Sequence, residues 1–190
     1  MMKSVLIAIR PQCVEKIARG EKTIEVRKTA PQEVPFKAYI YCTKEKKQDD
    51  IIWAGVCGDR GKWNEHIIGE FICDKVEMVN AKCSDYGIDL FYHDCLTNGC
   101  LTEREIEKYF NVPEDRDLRA MKGNGYVWNV SDLKIYDKPK ELSEFRKPCD
   151  RFLDCCTCRR LVRNEYMSCD NKINRPPLSW CYVEDIGEEE

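Results

Sequence analysis

Short apolar runs, broken by charged or glycine- and proline-bearing stretches, set the pattern of this chain. Val5 to Ile9 reads as a buried first strand. Pro11 follows where a helix can open at no cost, because the first turn leaves its N–H groups unpaired anyway. Val14, Ile17 and Ala18 give that helix an apolar stripe, and Gly20 is a residue able to turn left-handed at its end. Gly20-Glu21-Lys22-Thr23-Ile24-Glu25-Val26-Arg27-Lys28 then alternates. On a strand, Ile24 and Val26 share the buried face while Thr23, Glu25 and Arg27 share the other, with Lys22 at the turn placed to lean either way.

Further along, Phe36 to Thr43 is β-branched and aromatic and predicts a strand. Ile67 to Val76 predicts another, with Gly69 marking a bulge or a close backbone approach. Ser84 to Asp94 fits either a short helix or an irregular connection. Leu101 to Ile106 is decisive: Thr102 and Glu105 form a capping box, and Leu101 and Ile106 have the spacing of a hydrophobic staple. That helix runs to about Phe110, with Ile106, Tyr109 and Phe110 on its apolar face. Gly123 to Gly125 turns the chain into Tyr126–Val130, which Leu133–Tyr136 continues or pairs. Pro176-Pro177 precedes a last strand at Trp180–Val183, and Glu184 to Glu190 is expected to fray as an acidic tail. Strands outnumber helices and the helices sit in the connections, the pattern of an α+β fold on an antiparallel or mixed β-barrel.

At 190 residues the chain fits one domain with a small appended module. A hydrophobic fraction of 43% suffices for a core, and a net charge of −3 excludes a binder that relies on bulk positive charge while leaving room for a local basic cleft. The apolar part of Met1–Arg10 is too short for a signal peptide and no run approaches a membrane span, so a cytoplasmic protein with no membrane partner is expected. In that reduced setting the 13 cysteines read as buried thiols and metal ligands rather than disulfides. Cys155 and Cys158 form a C-x-x-C pair, and with Cys149 upstream and Cys169 downstream they can close a tetrahedral four-thiolate zinc site, Cys156 being the spare. Phe152, Leu153, Leu161 and Val162 are too few for a core, so residues 146–175 are expected to be stapled by a structural zinc. A set of free or redox-sensing thiols is the competing reading. The same segment carries Arg146, Lys147, Arg151, Arg159, Arg160, Arg163, Lys172 and Arg175, which suit phosphate contacts as well as a mixed solvated surface. His66 and His93 are expected to be ordinary loop or surface histidines.

Gly20, Lys22, Glu25 and Arg27 match a G-x-K-x-x-E-x-R signature. With the preceding helix, the Ile68-Gly69-Glu70-Phe71 strand and the late strand carrying Trp128, the chain resembles the ASCH family of the PUA-like superfamily over Lys3–Tyr136 and the strand near Trp180. The resemblance implies a barrel over residues 1–145, interrupted by the cysteine-rich insertion at 146–175 and closed by a strand and tail at 176–190. It also implies a cleft lined by Lys22, Glu25 and Arg27 that binds RNA or a nucleotide-like ligand. The cations would hold a phosphate or base edge, Glu25 would orient them or accept from a base amino group, and Tyr39, Tyr41 or Trp128 would stack if not in the core. Some members of the family are hydrolases, and the small ones that deacylate N4-acylated cytidine use a motif lysine, a nearby threonine and a later glutamate. Lys22 matches that lysine, Glu25 stands where they carry threonine, and Asp89 and Asp94 are the acids near where their glutamate falls. A hydrolase with Lys22 and Glu25 catalytic, on such nucleosides or on RNA, is therefore the second reading, and a structural protein with an ion-paired strand face the third.

Overall fold

The computed structural model describes residues 2–44, 63–113, 118–148 and 171–187. Among them the elements run β1 (Lys3–Ile9), α1 (Pro11–Ala18), β2 (Ile24–Arg27), β3 (Phe36–Cys42), β4 (Ile67–Cys73) and β5 (Val76–Asn80). Then come α2 (Asp85–Thr97), α3 (Glu103–Phe110), β6 (Asn124–Asn129), β7 (Ser131–Lys140) and β8 (Trp180–Val183). A five-stranded sheet has the order β7-β4-β3-β1-β8 and a three-stranded sheet the order β2-β6-β5. β1 and β3 run parallel, and every other strand pair is antiparallel.

The α+β class holds, but the barrel expected from the sequence is not closed among the described residues. The sheets meet at one corner, where β4 passes into β5 and β6 into β7, so that one two-stranded ribbon has an end in each sheet. Asn129 Nδ2 donates to Asp74 Oδ1 at 2.8 Å and Ser131 Oγ to the Ile72 carbonyl at 2.8 Å, fixing the bend. At the other side the edge strands β2 and β8 belong to separate sheets, and side chains bridge the gap. Trp180 Nε1, for instance, donates to Thr29 Oγ1 at 3.0 Å.

β1 shows why its run is continuously apolar. Val5, Ile7 and Ile9 face the core between sheet and α1 with Ile17, Phe36, Phe71 and Trp128, while Leu6 and Ala8 face a second cluster with Tyr39, Phe145, Ile173 and Val183. A third cluster packs Ile24, Val26 and Val127 of the small sheet on Ile88 and Phe91 of α2 and Ile106 and Phe110 of α3.

Local signals in the sequence correspond to local structure. Gly20 has φ +73°, the left-handed turn that ends α1. A Cβ at Gly69 would lie 2.3 Å from the Lys134 carbonyl oxygen, and the β4–β7 register shifts beside it. Ser84–Asp94 resolves as helix: Ser84 caps α2 by accepting from the Gly87 N–H at 3.2 Å. Thr102 and Glu105 form both bonds of the capping box, and Leu101 and Ile106 pack in the same cluster.

One segment departs from expectation. Glu184–Ile186 does not fray: the Glu184 N–H donates to the Arg146 carbonyl at 2.9 Å and the Ile186 N–H to Tyr39 Oη at 3.3 Å. The Tyr39 hydroxyl donates to Asp185 Oδ1, which also sits 3.2 Å from Lys37 Nζ. The described flanks on either side of residues 149–170 lie side by side: Arg146 pairs with Lys172, and the Lys147 N–H donates to the Asn171 carbonyl at 2.9 Å. No helix among the described residues is long and apolar enough to cross a membrane.

Candidate functional site

The turn after α1 aims the motif. The N–H groups of Glu21 and Lys22 donate to the Lys16 carbonyl at 2.9 and 3.1 Å, and Thr23 N–H donates to the Asn98 carbonyl at 3.0 Å. Lys22 is therefore carried inward rather than left on the turn, with only 2% of its surface exposed. Its Nζ donates to the Gly99 carbonyl at 2.8 Å and lies 3.3 Å from Glu25 Oε2. Glu25 Oε1 is 2.9 Å from Arg27 Nη2, which also donates to the Ala8 carbonyl at 2.7 Å, while Nη1 donates to Ser179 Oγ at 3.4 Å. All three charged side chains are buried, so the motif face of β2 is not the solvated ion-paired surface that alternation alone permits.

Burying three charges is tolerable because two cations share one carboxylate and backbone carbonyls take further donors. The compensation is incomplete. Lys22 lies within ion-pair distance of Glu25 Oε2 but off the hydrogen-bond direction, and that oxygen has no hydrogen-bond donor. Arg27 Nε is likewise buried with no acceptor. Each such orphan costs about 1–3 kcal/mol.

The triad opens into a cavity of about 390 Å³. Its floor is Lys22, Glu25 and Arg27, one side is the end of β1 with Arg10 and Cys13, and the remaining walls are Glu105 and Tyr109 of α3 and the Pro176–Leu178 segment. Burial pushes the Cys13 thiol up, and the Glu25 charge adds to the rise, so this thiol stays protonated at neutral pH. Burial also raises the Tyr109 phenol, against the pull of Arg27 and with the push of Glu25. At Glu105 partial burial is outweighed by the Thr102 N–H and hydroxyl, which hold its carboxyl below the usual range.

Of the expected site residues the structure brings Lys22, Glu25 and Arg27 together. The expected stacking aromatics are elsewhere: Tyr39 and Trp128 are fully buried, Tyr41 is 4% exposed, and none lines the cavity. Trp128 packs edge-on against Phe36 and Trp180 with centroids 5.0 and 5.8 Å apart. Asp94 accepts from Asn98 Nδ2 at 3.1 Å and Asp89 lies 3.9 Å from Arg119, both away from the cavity. Arg10, Cys13, Glu105 and Tyr109 were not singled out as site residues from the sequence. Only the cap at Glu105 gave a signal, and it spoke of a helix start.

The proposed zinc ligands Cys149, Cys155, Cys158 and Cys169 lie outside the described residues. Among the described residues no group of three or more histidine, cysteine or acidic side chains is placed to hold a metal. The scattered cysteines among the described residues are in no disulfide. Burial above all pushes Cys73 and Cys95 up to about 12, which marks them as inert packing.

No family model matches the sequence, and no curated protein matches it. Among solved structures the chain is similar to ASCH from Zymomonas mobilis at 15% identity and a TM-score of 0.54, over 96% of this chain and 88% of that one. Two single-residue variants of that protein from the same organism align with TM-scores of 0.55 at 13% and 14% identity, over 96% of this chain and 91% and 89% of theirs. The likeness is one of fold, and it reaches across both sheets.

Proposed function

We propose that this chain is an ASCH-type, PUA-like module that binds RNA or a nucleotide through the cavity floored by Lys22, Glu25 and Arg27. The observation that carries the reading is the convergence of Lys22, Glu25 and Arg27 on one cavity of about 390 Å³ that Arg10 and Tyr109 also line. The ASCH-like fold agrees with this reading. Retention on single-stranded RNA should weaken steeply as salt rises and be lost in Lys22→Ala. Salt-independent retention, or unaltered binding by Lys22→Ala, would remove the reading.

A second reading, hydrolysis of an acylated nucleoside such as N4-acetylcytidine, is favoured by a lysine and two carboxylates, Glu25 and Glu105, lining one cavity. Turnover of that nucleoside, abolished by Glu25→Gln, would establish it. We also propose from the cysteine spacing that Cys149, Cys155, Cys158 and Cys169 hold a structural zinc ion.

A further inference from the structure

The small sheet ends on β5, whose outer edge pairs with no other strand among the described residues. Which groups that edge leaves bare follows from the alternation of the strand. Lys75, just before β5, accepts from the Asn129 N–H on the β6 side at 3.0 Å, so Glu77 and Val79 also turn their backbone groups toward β6. Val76, Met78 and Asn80 turn theirs outward. Asn80 is capped there: its N–H donates to Cys83 Sγ at 3.4 Å, and its carbonyl accepts from the Cys83 N–H at 3.0 Å. Val76 and Met78 carry no such cap among the described residues, which leaves their N–H and C=O groups in a row, ready for a ladder.

Beside this edge lies a cavity of about 370 Å³ between β5 and α2, which shares no lining residue with the motif cavity. The buried Val79 and Phe91 form its floor, and Met78, Gly87 and Leu90 its walls. Gly87 keeps it open, since a Cβ there would have only Ser84 and Cys83 within 4 Å. Of the six large apolar side chains left exposed among the described residues, three stand here: Met78, Leu90 and, one helical turn before Leu90, Tyr86. The end of the groove at the start of β5 is acidic. Asp74, Glu77 and Asp94 surround Lys75, which pairs with Glu77 and leaves two carboxylates over.

We infer that β5 and α2 form a docking site for an extended, basic segment of a partner protein, which adds a strand to the small sheet by pairing with Val76 and Met78. Side chains of the added strand alternate as those of β5 do. The one opposite Val79 is apolar and enters the cavity between Gly87 and Leu90. The one opposite Glu77, two positions along, is a lysine or arginine held by Glu77 and Asp94. The same charge turns away a second copy of this chain. A two-fold pairing that uses both open residues of each copy sets Val76 opposite Met78, and therefore the two Glu77 carboxylates face to face.

Amide exchange of the full chain, followed by NMR alone and with peptides selected on it from a displayed library of random short sequences, tests this. In the free chain the Val76 and Met78 N–H groups should exchange about tenfold or more faster than those of Glu77 and Val79. Selected peptides should carry an apolar and a basic residue two positions apart, and should slow Val76 and Met78 by about tenfold or more. Leu90→Lys, at an exposed site, and Gly87→Leu, at an open one, should each weaken the peptide about tenfold without lowering the thermal midpoint. Glu77→Lys should turn the preference toward acidic peptides. Protection of Val76 and Met78 in the free chain, an empty selection, peptides without a basic residue, or peptides indifferent to Leu90→Lys would each overturn the site. Protection that grows with protein concentration alongside a doubled mass would overturn it too, because the occupant would then be a second copy.

Discussion

Arg27 donates from Nη2 to the backbone carbonyl of Ala8 at 2.7 Å, across the gap that separates the edge of the small sheet from the large one. The same guanidinium meets Glu25 and Ser179, so this side chain, together with the Trp180–Thr29 bond, closes the side of the molecule that strand pairing leaves open. Structure and site therefore draw on the same residue.

Removing Arg27 should cost both. Arg27→Ala leaves Glu25 buried with Lys22 as its sole cation in the triad, and losing one member of a buried pair costs about 3–5 kcal/mol. Urea unfolding should show that loss, and Arg27→Lys should recover only part of it, because one ammonium cannot span the three partners. Removing Glu25 as well should cost less than the two single changes added, which a double-mutant cycle measures.

Gly69→Ala should be among the most damaging small substitutions in the chain. The added methyl would meet the Lys134 carbonyl oxygen at 2.3 Å and the Ile135 Cα at 3.1 Å, backbone atoms with no rotamer to escape into. We expect a loss of about 2–3 kcal/mol, the upper range for overpacking, read as a lowered thermal midpoint. A change under about 0.5 kcal/mol would show that β4 and β7 can separate freely.

Thr102→Ala removes the side chain that accepts from the Glu105 N–H at 3.3 Å and donates to Glu105 Oε2 at 3.0 Å. A cap of this kind is worth about 1 kcal/mol. Glu105 also loses one of the two donors that depress its carboxyl, the Thr102 hydroxyl, while the backbone N–H remains, so its titration, followed by NMR, should move upward.

The network beneath the C-terminal segment predicts a pH window. Burial foremost, then the carboxylates of Asp185 and Glu70, hold the Tyr39 and Tyr136 phenols well above the ordinary tyrosine range. A folded value above the unfolded one stabilises the protein below about pH 10 and is lost as pH rises further. At Asp185 partial burial is outweighed by the Tyr39 hydroxyl and Lys37, so its carboxyl lies below the ordinary range and its contribution is lost only in acid. Phenolate absorbance should show at least two of the nine tyrosines silent until the chain unfolds at alkaline pH. Simultaneous titration of all nine at ordinary values would sink this assignment.

The zinc proposal makes a mass prediction. The native protein should exceed its chelated form by one zinc ion, and Cys156→Ser should keep the metal while Cys158→Ser loses it. Equal masses before and after chelation would end the proposal.

What could be read in the sequence was what neighbours in the chain decide. The capping box at Thr102, the left-handed Gly20, the tight approach at Gly69 and the two-sided burial of β1 all follow from residue type within a few positions. The motif itself was legible, but its surroundings were not. Lys22 meets Gly99, 77 residues on, and Arg27 meets Ser179, 152 residues on, and no periodicity reports such pairings. Tyr109 shows the same limit. As the apolar neighbour of Phe110 it reads as core, and only the packing of α3 beside β2 turns it to the cavity. The barrel was over-read for a related reason: alternation reveals which residues face inward, but not whether the last two edges join.

The pairing of β8 with β1 bears on how the molecule can be made. Val5 lies opposite Tyr182 and Ile7 opposite Trp180, so the central parallel pair of β1 and β3 stays open on one edge until β8 has been synthesised, more than 170 positions after β1. Over that interval Leu6 and Ala8 also lack Phe145, Ile173 and Val183, the residues that cover them in the finished protein. Pairing at such sequence separation is slow, and an uncovered apolar strand with a free edge invites a stranger's strand. A nascent chain of this design would benefit from a chaperone at its first strand, and its yield should depend on the last few residues of β8 far more than their number suggests.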